Sequence, residues 1–161
     1  MNAKKLTLSG IIMACYVVIM YFTAGFSFGA YQIRIATAIY GLAYLFPFLV
    51  LPLGLSNLLS NMLLGGLGFF DIVGGGLVGF LTAGICALLG IKHRNEWWII
   101  LPITLIPGFG VALWLSYLLK TSYPILALSL CMGQVIPGIV GAIIVKALQK
   151  LPLSYGPIKS I

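Results

Sequence analysis

Long apolar runs alternate with short polar interruptions along this 161-residue chain, and the interruptions hold most of the charge and much of the Pro and Gly. A helix needs about 20 apolar residues to cross a bilayer, fewer where it packs inside a bundle. By that measure the punctuation predicts six crossings, at approximately 6–24, 35–51, 54–66, 71–91, 97–119 and 123–147. The second and third are short and meet through Pro52 and Gly54, so they read either as a tight hairpin or as one irregular segment. The expected fold is an all-α integral membrane protein, a single membrane domain over residues 1–161.

Composition agrees with the pattern. At 61% apolar and 7% charged residues, there is too little polar surface to cover a water-soluble globule. The basic start followed by about eighteen apolar residues has no A-x-A cleavage site, so it reads as a retained first crossing. Cys15, Cys86 and Cys131 lie inside apolar runs without a C-x-x-C pair and read as small buried hydrophobes. The net charge of +7 comes from residues scattered in ones and twos, which predicts contact with membrane lipid and no nucleic acid.

An even number of crossings puts both termini on one side. Lys4, Lys5, Lys92, Arg94, Lys146, Lys150 and Lys159 then fall together, leaving Arg34 and Lys120 opposite. The positive-inside bias makes the crowded side cytoplasmic, in a bacterial-type cell membrane, and Trp97 with Trp98 fits the aromatic belt there. Arg34, Asp71 and Lys120 therefore face outward.

Arg34 and Asp71 sit at the edges of apolar segments, where a charge costs from about 2.5 kcal/mol upward and persists when a partner, cavity or ligand offsets it. The stretch GFSFGAYQIRIATAIYG around Arg34 mixes flexible glycines with flat aromatic faces and the amide of Gln32. It suits either a loop closing over a planar, hydrogen-bonding solute or an interfacial loop whose arginine reaches lipid phosphate. Asn57 and Asn61 are one helical turn apart; Asn57 reads more as a structural bridge and Asn61 more as a site residue. Asp71 opens a predicted helix, where capping and ligand binding are compatible. Gln134, beside Pro137, either satisfies freed backbone groups or points into a cavity. Ser9, Gly10 and Ala14 make a small-residue face near the cytoplasmic end of the first crossing, fit for ordinary packing or for docking another subunit.

Catalysis finds no support. The lone His93 has no ligand partner at metal spacing, so neither a metal nor a catalytic residue is expected. GFFDIVGGGLVG is glycine-rich but lacks the G-K-[ST] ending that holds a phosphate. Uphill transport would need another chain or an ion gradient as its motor.

The run YQIRIATAIYGLAYLFPFLVLPLGLSNLLSN followed by GFFDIVGGGLVGFLTAG resembles the QueT family, substrate-binding S components of energy-coupling factor (ECF) transporters. Gln32, Arg34, Ile35, Ala36 and Ala38 match its Q-[VI]-R-I-[SA]-E-A-L element, Asn61 its third-crossing Asn, and Asp71, Ile72, Val73 and Gly75 its D-[IV]-[VI]-x-G element. The resemblance implies a six-helix S-component bundle with a solute pocket near the outer surface. It also implies docking, through the small face at Gly10 and Ala14, on a T subunit driven by two ATPase subunits, so that ATP is used by partners and this chain carries no cofactor. The implied solutes are queuosine precursors, which are 7-deazaguanines. Thr37 stands where the family carries Glu, which favours a neutral base, the nitrile precursor or an unrelated solute over an aminomethyl cation.

The expected binding set is Tyr31, Gln32, Arg34, Thr37, Tyr40, Asn61, Asp71 and Gln134. Arg34 and Gln32 would meet acceptors on the solute, Asp71 and Asn61 its N–H groups, and Tyr31 or Tyr40 would stack on it. In the empty site Arg34 and Asp71 are expected to pair. The alternative is a stand-alone secondary carrier or channel, for which the central segments lack a coupling carboxylate.

Overall fold

A computed structural model describes residues 3–27, 33–64 and 67–151, which are mostly helical, with no strand among them. In chain order the elements are α1 (Ala3–Phe22), α2 (Ala24–Ser27), a 3-10 stretch (Ile35–Gly41), α3 (Leu42–Leu45), a 3-10 turn (Pro47–Leu49), α4 (Val50–Leu64), α5 (Phe69–Ile91), a 3-10 turn (Glu96–Ile99), α6 (Ile100–Leu119) and α7 (Tyr123–Leu148). Five helical stretches among the described residues are long and apolar enough to cross a membrane: Ala3–Phe22, Pro47–Leu64, Phe69–Ile91, Glu96–Leu119 and Tyr123–Leu148. The apolar helical stretch Ile35–Leu45 is shorter.

The segment expected as a crossing over 35–51 is thus broken, and the break lies at Phe46–Pro47 rather than at Pro52–Gly54. Proline disfavours the α conformation of the residue before it, and Phe46 is extended at φ −130°, ψ 80°. Pro52 instead falls in the first turn of α4, where a missing N–H leaves no hydrogen bond unmade. Gly54 lies inside the same helix because α5 crosses there: a Cβ at Gly54 would strike the Phe80 ring.

α6 packs along α7, α4 along α5, and the broken 35–45 segment lies against α7 and α5. Without a strong hydrophobic drive between helices in lipid, close approach at small residues supplies the packing. Gly90 is one such point, since a Cβ there would overlap the Tyr44 carbonyl. The Tyr44 hydroxyl donates to Arg94 O, tying α3 to the turn after α5. Lys146 stands 5.5 Å over the Trp97 ring, where α6 starts and α7 ends.

Two buried clusters form the core. The larger, with Tyr16, Met20, Tyr40, Leu49, Leu53, Ile103 and Val145, joins α1, the broken segment, α4, α6 and α7. The second, with Val78, Val111, Leu115 and Leu130, lies between α5, α6 and α7. The polar groups of interest sit where these clusters meet.

Candidate functional site

Arg34 immediately precedes the 3-10 stretch and is buried, 3% exposed. Its Nη1 donates to Asn57 Oδ1 and to Asn61 Oδ1, each at 3.3 Å, and its Nε to Ser27 O at 3.4 Å. Asn57 and Asn61 reach the same guanidinium because residues four apart share a helix face. Each amide then turns its NH2 to α5: Asn57 Nδ2 donates to Gly75 O at 2.8 Å and Asn61 Nδ2 to Asp71 O at 2.9 Å. Gly75 permits this, since a Cβ there would collide with Asn61 Nδ2.

The expected Arg34–Asp71 ion pair is not among the contacts of the described residues. The buried Asp71 carboxylate accepts instead from Leu67 N at 3.1 Å and from Trp114 Nε1 at 3.0 Å. Asp71 lies in the first turn of α5, so its carboxylate also complements the positive end of that helix. Asn61 is the link between the two charges: its oxygen faces Arg34 and its nitrogen the Asp71 main chain.

Arg34, Thr37, Tyr40, Asn57 and Gln134 supply the polar lining of a cavity, and Val78, Pro107, Val111 and Leu130 supply its apolar wall. Its interior gives the centre of a water molecule about 10 Å³, roughly one water site. Thr37 Oγ1 lies 2.7 Å from Arg34 O and 2.8 Å from the Gln134 side-chain amide. Behind Tyr40, the hydroxyls of Tyr16 and Tyr40 are 3.0 Å apart and the rings stack with centroids 5.7 Å apart.

Of the residues expected at the site, Arg34, Thr37, Tyr40 and Gln134 thus surround one cavity, Asn61 stands behind Arg34, and Asp71 lies one step farther out. Tyr31 and Gln32 fall outside the described residues. On α1, Gly10 and Ala14 are exposed, whereas Ser9 is buried with its hydroxyl donating to Lys5 O at 2.8 Å. Asn57, read from sequence as structural, belongs to the cavity wall while also bridging to α5. Trp114 went unnoticed; an indole N–H within an apolar run seeks an acceptor, and Asp71 is one of only two acids in the sequence. Among the described residues no group of three His, Cys, Asp or Glu side chains is gathered that could hold a metal ion.

These elements define a multi-pass, all-α membrane protein with a buried polar network reaching a cavity in its interior. The family model of the QueT transporter matches residues 6–150, and the chain belongs to that family, with a role in transport rather than catalysis. No curated protein and no solved structure matches it.

Proposed function

We propose that this protein is the substrate-binding S component of an ECF-type uptake transporter, and that its solute is a planar nitrogen heterocycle of the 7-deazaguanine class. The observation that carries this reading is the buried Arg34 guanidinium on the wall of an interior cavity, held in place by two amides that are themselves fixed on α5. Holding the donor fork before a solute arrives lowers the ordering cost of binding. A guanidinium has donors only, so it meets a carbonyl or ring nitrogen of the solute, with Tyr40 flanking it and the apolar wall covering the flat faces. The cavity has room for about one water, so a planar base enters it only as its walls separate.

Counting the 35–45 segment as the second crossing gives six, with both ends of the chain in the cytoplasm and the Asp71–Trp114 end outward. The docking surface for the T subunit is α1. It is the least buried of the five long helices, 17% against 44–50% for the others, and it leaves Gly10 and Ala14 uncovered. The T subunit and two ATPases then supply the ATP-driven step.

Titration calorimetry of the purified protein with 7-deazaguanine is the test. Saturable binding that is lost in Arg34→Ala is the expected result, and no heat at millimolar base overturns the solute assignment. Uptake by this chain alone in proteoliposomes, without ATPase partners, overturns the S-component assignment.

A further inference from the structure

Four basic side chains converge on one corner of the bundle, at the end opposite Asp71. Lys92 ends α5 and Arg94 follows in the same turn; Lys146 lies in the last turn of α7 and Lys150 just beyond it. The Glu96–Ile99 turn packs on both helices and brings the two pairs together. Lys146 Nζ stands 5.5 Å over the Trp97 ring, and the Tyr44 hydroxyl holds Arg94 O. Main-chain groups finish both helix ends: Leu88 O, Leu89 O and Gly90 O accept from Lys92 N, Arg94 N and His93 N, and Val145 O and Ala147 O from Gln149 N and Lys150 N. The four exposed cationic side chains are therefore left over from capping. Asp71 and Glu96 are the two acids of the chain, and Asp71 is in the first turn of α5, so four cations here face the single carboxylate of Glu96.

Trp97 and Trp98 are 41% and 53% exposed beside these cations. About one turn farther along the helices the exposed side chains are aliphatic: Leu88 and Ile91 on α5, Leu101 on α6 and Ile143 on α7. Cation, indole and aliphatic surface in that order match the layers of a bilayer from headgroup to acyl chain. We propose that this corner, Lys92, Arg94, Lys146 and Lys150 around Trp97, binds the phosphate headgroup of an acidic phospholipid. Arg94 offers the phosphate a planar donor fork, the lysines add point charges, and the acyl chains lie along the aliphatic surface. An acidic soluble protein would satisfy the charge and leave that aliphatic surface unmatched, whereas a lipid satisfies both. The site lies apart from the solute cavity and does not depend on what fills it.

Quenching of tryptophan emission by brominated lipid tests this at the site itself, since Trp97 and Trp98 stand there. In vesicles of brominated phosphatidylglycerol mixed with phosphatidylcholine, and in the reverse pairing, the wild type should prefer phosphatidylglycerol by about tenfold or more, each cation near the headgroups being worth about fivefold. Lys146→Gln with Lys150→Gln should bring the ratio below about threefold, and Lys146→Arg with Lys150→Arg should keep it. Lys4→Gln with Lys5→Gln removes the same charge from α1 and should leave the ratio unchanged. Equal quenching by both lipids in the wild type overturns the proposal, and so does an equal fall in both glutamine pairs, which would mean that overall charge and not this corner selects the lipid. A measurement on the wild type alone covers a variant that fails to fold. Raising salt from about 0.1 to 1 M shortens screening from about 10 to about 3 Å and should cut the ratio severalfold, and a salt-independent ratio overturns the proposal. Relief of quenching by millimolar glycerol phosphate would assign the site to a soluble phosphate compound and overturn the lipid.

Discussion

The α4–α5 and α6–α7 seams are built by different chemistry, and the cavity lies between them. Along α4–α5, side-chain amides bridge to main-chain carbonyls: Asn57 to Gly75 O and Asn61 to Asp71 O, with Arg34 on the far side of both. Along α6–α7, contact is close and mostly apolar. Gly108 lies against Cys131, Gly138 against Ile100 and Thr104, and a 3.4 Å bond from Thr104 Oγ1 to Gln134 O joins the two helices. A polar seam fails when one partner is removed and the other is left buried without it. A close-packed seam fails when volume is added. The difference also divides the labour at the cavity. The first seam holds a charged donor still; the second contributes the apolar wall through Pro107 and Leu130 and sets the position of Gln134.

The sharpest way to break this contrast is Asn61→Leu, which keeps the branched shape and removes both bonds. Midpoints of thermal unfolding in detergent should report a loss of about 2–3 kcal/mol, because a buried guanidinium loses an acceptor and Asp71 O a donor. Gly108→Ala should cost about 1–3 kcal/mol by overpacking, and Cys131→Ala should return part of it. The return is partial because a Cβ at Gly108 would still lie 3.1 Å from Cys131 Cα. A full return would mean that the α6–α7 backbones part more readily than their spacing implies. Trp114→Phe keeps an aromatic ring but withdraws the outer indole edge from Gly74 and deletes the N–H to Asp71, a loss of about 1–2 kcal/mol in the same assay, of which the hydrogen bond accounts for about 0.6. The smallest effect belongs to Tyr16→Phe, below about 1 kcal/mol, since the ring stack on Tyr40 persists and only the hydroxyl contact goes. A Tyr16→Phe loss as large as that of Asn61→Leu would place the α1 contact, and not the α4–α5 seam, at the centre of the site's support.

Much of this was legible residue by residue. Runs of apolar residues as long as a bilayer is thick set the all-α membrane fold, since no soluble globule can hide them. The matched elements around Arg34, Asn61 and Asp71 carried the family. The break at Phe46–Pro47 was also legible, because the steric effect of proline on its predecessor is local; it was missed by giving Pro52 and Gly54 more weight.

Partnership was not legible. Sequence placed Arg34, Lys120 and Asp71 at the expected outer end and suggested that Arg34 and Asp71 pair, whereas the fold gives Arg34 two asparagines and gives Asp71 an indole and a main-chain N–H. Charge and periodicity fix which residues share a helix face and what each can donate or accept. Which faces meet, and at what rotation, follows from the packing of glycines such as Gly75 and Gly108 against side chains far away in the chain, and hydrogen bonds extend over only about 3 Å. Sequence determined the chemistry available to this protein, and tertiary packing decided which groups came within that distance.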